Sequence, residues 1–207
     1  MTTVLVTGFG PFPGAPFNPT EALVERLAKL RRPAFAGMTI IPHVFQTSYA
    51  TVDRDLPKLI ERHKPDVLLM FGLAPRARTL RIETRARNAA AILPDVSGQT
   101  LQRTAIAKGG PSVLALSTKA RHLLAAARAA NLPATLSRDA GRYLCNYLCW
   151  RVAETAARDG LRLTAFIHVP PVPRVARHPG RRRALTPDDL LRAGALFLLA
   201  IAAAARR

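Results

Sequence analysis

Apolar positions along this chain fall into short continuous runs that alternate with stretches of helical spacing. Val4-Leu5-Val6, flanked by Thr3 and Thr7, predicts a buried strand over 3–7, and Gly8-Phe9-Gly10-Pro11-Phe12-Pro13-Gly14 predicts a sharp loop after it. Asn18-Pro19-Thr20-Glu21 then supplies an N-cap, a proline suited to the first helical turn and a glutamate able to return a bond as in a capping box. A helix over about 19–31 follows, its apolar stripe formed by Ala22, Leu23, Leu27 and Leu30.

The same logic predicts strands over 39–45 and 66–71, separated by a helix over 49–63 that either tolerates Pro57 or is broken by it. Residues 79–92 are extended and polar, with Arg81, Glu83, Arg85 and Arg87 on one side, which predicts a hairpin beside the main sheet. Turns are expected at Pro94-Asp95 and Ser97-Gly98. The rest reads as a helix over 112–130, a strand over 134–137, a helix over 144–158 and a strand over 162–169. A final helix to about residue 205 is capped at Thr186, with Asp188 and Asp189 at the positive end of its dipole.

Strands alternating with helices imply an α/β fold: a single-domain three-layer α/β/α arrangement with a mostly parallel, twisted central sheet and a side hairpin. The 207 residues are expected to form one domain over 1–207, since two independent cores would be cramped. Apolar residues at 49% and charged residues at 21% exclude wholesale disorder and a collagen-like fibre. The charge-free run 193–205 is thirteen residues, short of the ~20 that span a bilayer, so no transmembrane helix is expected. No basic, cleavable leader precedes Val4, and secretion is not expected. Cys145 and Cys149, four apart in a helical context, do not match disulfide geometry, and a reducing cytoplasm fits them.

The net charge is +18, carried mostly by arginine. A nucleic-acid binder would show such a balance. Scattered arginines without interleaved aromatics fit a compositional bias toward Ala, Arg and Pro better. One stretch, 174–183, holds five arginines with His178, Pro179 and Gly180, and reads as a solvated surface loop with a phosphate or RNA contact as the alternative.

His43, His63, His122 and His178 lack carboxylates or cysteines at metal-ligand spacing and read as structural. His168 differs, because it ends the apolar strand Phe166-Ile167-His168-Val169, and the carboxyl ends of parallel strands are where ligands bind. Cys145 falls at a helix start after Asp139-Ala140-Gly141-Arg142, where free N–H groups and the helix dipole favour a thiolate and an oxyanion. Cys149, one turn on, fits a small buried hydrophobe better. Glu83 is either an ion-pair partner for Arg81 or Arg85, or a third group that orients His168.

These residues together resemble the type I pyroglutamyl peptidases, or pyrrolidone-carboxylate peptidases, a family of cysteine peptidases. The resemblance runs from Val4-Leu5-Val6-Thr7-Gly8-Phe9-Gly10-Pro11-Phe12 through Asn18-Pro19-Thr20 to Phe166-Ile167-His168-Val169-Pro170. Ala140-Gly141-Arg142-Tyr143-Leu144-Cys145-Asn146 looks like the family's Ala-Gly-Thr-Phe-Val-Cys-Asn, and Glu83, Ala86 and Asn88 match its Pro-Glu-Arg-x-Ala-x-Asn segment.

The resemblance implies a catalytic set of Cys145, His168 and Glu83, with Phe9, Phe12 and Tyr143 as walls of the substrate pocket. It implies removal of an N-terminal pyroglutamyl residue from peptides, no metal or organic cofactor, and a homo-oligomer, often a tetramer. Departures fall near the site: Gly72-Leu73-Ala74-Pro75-Arg76 stands for Gly-Gln-Ala-Gly-Gly, Ile82 for Pro, Thr84 for Arg, and Arg142-Tyr143 for Thr-Phe. A larger, charged Arg142 beside the nucleophile is expected to shrink or recharge the pocket and so to shift the substrate away from simple pyroglutamyl peptides. The alternative is a divergent, weakly active or inactive relative that binds an acidic peptide or nucleic acid through its arginine-rich surface.

Overall fold

The computed structural model describes residues 1–159, 161–172 and 184–205, except that nothing is said of the side chains of Ala157 and Asp159. The 174–183 stretch, with His178, lies outside the described residues. Among the described residues, eight strands and five α-helices follow in chain order: β1 (Thr2–Phe9), α1 (Pro19–Lys29), β2 (Met38–Phe45), α2 (Tyr49–His63), β3 (Val67–Leu73), β4 (Leu80–Glu83), β5 (Arg85–Arg87), β6 (Val113–Ala115), α3 (Ala120–Ala129), β7 (Ala134–Ser137), α4 (Leu144–Asp159), β8 (Leu163–Val169) and α5 (Pro187–Ala205).

Six strands form the central sheet in the order β2-β1-β3-β8-β4-β7. The first four are mutually parallel; β4 runs antiparallel to β8, and β7 is parallel to β4. The continuous apolar runs of β3 and β8 are fully buried because helices cover both faces. On one face Leu23, Leu27, Leu123, Ala127, Phe197 and Leu198 bring α1, α3 and α5 against the sheet. On the other, Val52, Leu56, Leu148 and Trp150 bring α2 and α4.

Local chemistry explains the boundaries. Asn18 caps α1 by accepting a bond from the Thr20 amide at 3.1 Å, as its position predicts. The return bond expected of Glu21 is not made among the described residues. Here the chain leading into α1 is held from the side instead, with Thr20 Oγ1 accepting from the Phe9 amide and donating to the Phe9 carbonyl. Pro57 lies inside an unbroken α2. The amino end of α2 is capped by a distant residue: buried Asp95 accepts from the amides of Tyr49, Ser97 and Gln99, which pins the long 88–112 segment to the helix.

Two further expectations require correction. Residues 79–92 do not fold on themselves as a hairpin: β4 joins the central sheet, and β5 pairs antiparallel with β6, some 25 residues later, to make the two-stranded side element. The helix expected over 112–130 is confined to α3, because 113–115 is spent on pairing with β5. Local alternation marks an extended segment but says nothing of which strand it pairs with.

Candidate active site

The carboxyl ends of β1, β3 and β8 open on one cavity of about 610 Å³. Open α/β sheets bind ligands at this edge. Its lining includes Cys145, His168, Phe9, Phe12 and Tyr143, so five of the six residues singled out in the sequence meet in one place. The sixth, Glu83, is fully buried behind His168.

Strand register builds the His–Glu pair. His168 lies opposite Arg81 and Phe166 opposite Glu83 across the antiparallel β4–β8 ladder, so Glu83 and His168 are diagonal neighbours on one face. Their side chains meet at 2.8 Å between His168 Nδ1 and Glu83 Oε1. Glu83 Oε1 is also 3.6 Å from Arg81 Nε, while Oε2 has no hydrogen-bond partner among the described residues. The contacts to His168 and to Arg81 thus fall on the same Glu83 oxygen. Arg85, the other partner considered, instead donates to the Arg138 carbonyl.

Cys145 occupies the first turn of α4, where the leading N–H groups lack intrahelical acceptors and the helix dipole is positive. Cys145 is half-buried and lines the same cavity as His168. Burial pulls the His168 pKa down, but the Cys145 thiolate charge and its hydrogen bond, followed by the bond and charge of Glu83, outweigh burial and push it up to about 9. This balance favours a protonated His168 ring.

The strand beneath the thiol has to be glycine. Gly72 of β3 pairs with His168, and a Cβ there would come within 2.8 Å of Cys145 Sγ and 2.6 Å of Phe166 Cζ. Glycine here is needed for close approach, not for an unusual backbone angle. Cys149 is fully buried in the core, and desolvation raises its thiol pKa well above the ordinary value.

The aromatic wall is fixed by its own contacts. Phe9 packs on Phe45 with ring centroids 5.9 Å apart, and Tyr143 lies 6.3 Å from Phe12 and 6.0 Å from Tyr49. The Tyr143 hydroxyl donates to the Pro94 carbonyl, which ties the wall to the 88–112 segment. Asn18 and Thr47 both donate to the Gly10 carbonyl and so hold the loop that carries Phe9 and Phe12.

One positioning residue escaped the sequence reading. Asn146, fully buried next to Cys145, accepts from the Arg87 amide at 2.9 Å and donates to the carbonyls of Arg87 and Ala89 at 2.8 and 2.9 Å. It clamps β5 to the start of α4. Its adjacency to the cysteine within the Cys-Asn motif was the available signal. No group of three or more His, Cys, Asp or Glu side chains able to hold a metal occurs among the described residues.

Comparison with known proteins places this arrangement. The pyroglutamyl peptidase family model matches residues 2–202. A pyrrolidone-carboxylate peptidase 1 of Ralstonia nicotianae is 34% identical over 184 residues, covering 87% of this chain and 84% of its own. That of Pyrococcus furiosus is 32% identical over 172 residues, covering 82% and 81%. The solved pyrrolidone carboxyl peptidase of Thermococcus litoralis superposes with a TM-score of 0.86 at 26% identity, covering 97% of this chain and 94% of that one.

Proposed function

The chain belongs to the pyroglutamyl peptidase family, and on that premise we propose that it is a cysteine omega-peptidase that removes N-terminal pyroglutamyl residues from peptides. The observation that carries this reading is the meeting of Cys145 and His168 on one aromatic-walled cavity, with Glu83 bonded to the far side of the His168 ring at 2.8 Å.

In this mechanism Glu83 fixes the His168 ring through Nδ1 and leaves Nε2 facing the thiol. His168 takes the thiol proton, and Cys145 Sγ attacks the pyroglutamyl carbonyl carbon. N–H groups at the start of α4 stabilise the tetrahedral oxyanion. The C–N bond breaks as His168 returns the proton to the departing amine, which leaves a thioester on Cys145. Water, deprotonated by His168, attacks that thioester; pyroglutamate leaves and the thiol is restored. Phe9, Phe12 and Tyr143 hold the small, neutral lactam, which apolar faces and a few backbone bonds suit. No step in this sequence calls on a metal or organic cofactor.

The same reading takes 1–207 as one pyroglutamyl-peptidase-like domain, active in the cytoplasm as a homo-oligomer, with a tetramer expected from the family resemblance. No helix among the described residues is long and apolar enough to cross a membrane. The convergence of Cys145 and His168 on one cavity, with Glu83 bonded to the His168 ring, argues against the inactive binding relative.

The pH profile of hydrolysis tests this reading. His168 must be protonated when the amine leaves, and its pKa is raised, so kcat/KM for a pyroglutamyl amide should hold through neutral pH and fall as pH rises past about 9. A rate still climbing beyond that point, or equal release from alanyl and pyroglutamyl amides, contradicts it.

A further inference from the structure

A pyroglutamyl ring carries no charge, yet three arginines line the cavity that would hold it: Arg76, Arg81 and Arg142, against a single carboxylate, Asp139. Two of these four charges are already committed. Arg81 donates to Ser137 Oγ at 2.7 Å and to the Asp139 carbonyl at 2.9 Å, and it faces Glu83. Asp139 is paired with Arg87 Nη1 at 3.1 Å and accepts from the Gly141 amide.

Arg76 and Arg142 remain. Both are exposed, and among the described residues neither side chain has a hydrogen-bond or ion-pair partner. They reach the cavity from separate loops, Arg76 just after β3 and Arg142 two residues before α4. Arginines spent on solvated faces need not converge on one cleft. Here they sit beside apolar walls of Leu73, Leu93 and Pro94, where low-dielectric surroundings concentrate the field of an unpaired cation.

Position decides what they meet. In the hydrolase reading the aromatic wall and Cys145 hold the ring and its carbonyl, and about 610 Å³ exceeds what one five-membered ring fills. The peptide beyond the scissile bond therefore passes the rim.

We propose that Arg76 and Arg142 form a rim subsite that selects pyroglutamyl peptides with acidic residues immediately on the leaving side of the scissile bond. The proposal rests on the hydrolase reading above and adds the substrate class to it. A carboxylate there accepts charge-assisted hydrogen bonds from one or both guanidinium groups, while a basic residue meets like charge.

The test compares kcat/KM for three peptides that differ only in the two residues after pyroglutamyl: Glu-Glu, Ala-Ala and Lys-Lys. At low salt the acidic peptide should exceed the neutral one by about five- to tenfold, as expected for two partly exposed charge pairs. The lysine peptide should fall below both, and about 1 M salt should flatten the order. In Arg76→Glu/Arg142→Glu the order should invert, while in Arg121→Gln/Arg128→Gln, exposed on α3 and outside the cavity, it should persist.

Equal kcat/KM for the three peptides, or an order lost equally in the α3 variant, overturns the rim subsite and leaves the hydrolase standing. Binding of the same peptides to the Cys145→Ala protein separates the other failure. If the wild type cleaves none of them yet binding follows the predicted charge order, the hydrolase reading falls and the arginine rim survives. If binding is also indifferent to charge, both fall.

Discussion

Cys145→Ala is expected to lower kcat/KM for a pyroglutamyl amide by at least about 10⁴-fold, to whatever binding and oxyanion stabilisation alone sustain. Of the two cysteines, only Cys145 lines the cavity beside His168, at the start of α4. Cys149→Ala is the internal comparison. Its thiol is fully buried and held neutral by desolvation, so the substitution should retain hydrolysis and cost about 1 kcal/mol of stability through the small cavity it leaves. Release of a fluorescent amine, with thermal unfolding measured in parallel, separates the two. Comparable activity in wild type and Cys145→Ala would remove the nucleophile assignment.

Glu83→Gln should have the second largest effect, a loss of about 10²- to 10⁴-fold in kcat with little change in KM. In the proposed mechanism the carboxylate touches no substrate and acts through its 2.8 Å contact with His168 Nδ1. An amide of the same shape removes the charge that helps hold the imidazolium and can present N–H to Nδ1, which favours the wrong tautomer. Two signatures mark positioning rather than folding. The high-pH limb should move down, because one of the two anions that raise the His168 pKa is gone, and Glu83→Asp should recover part of the rate. A Glu83→Gln protein with unchanged kcat and an unchanged limb would reduce Glu83 to an ion-pair partner of Arg81.

Cys145 and His168 were legible in the sequence because their environments are local. A cysteine after a Gly turn at a helix start, and a histidine ending an apolar strand, each declare their position within a few residues. The strand runs over 3–7, 66–71 and 162–169 were likewise visible, since strands buried on both faces carry mostly apolar residues.

Glu83 was legible by motif but not by fold. Its segment alternates as an edge hairpin would, yet β4 is sandwiched between β8 and β7, so its buried charge sits in the sheet rather than beside it. That pairing joins residues 85 positions apart, beyond the reach of local alternation. The same blindness turned Val113-Leu114-Ala115 into the start of a helix, because β6 exists only through its pairing with β5. Asn146 shows the converse. A buried amide that satisfies three backbone groups on another strand leaves no periodic trace, and only its place beside the cysteine hints at its work.

The most direct test of the central claim is the mass of the enzyme during turnover. Protein mixed with a pyroglutamyl amide and quenched in acid should carry one pyroglutamyl group, located by peptide mapping on the segment containing Cys145 and absent from the Cys145→Ala protein. Continued hydrolysis with Cys145 unmodified at every quench time, or a pyroglutamyl group found on another residue, would contradict covalent catalysis by this thiol.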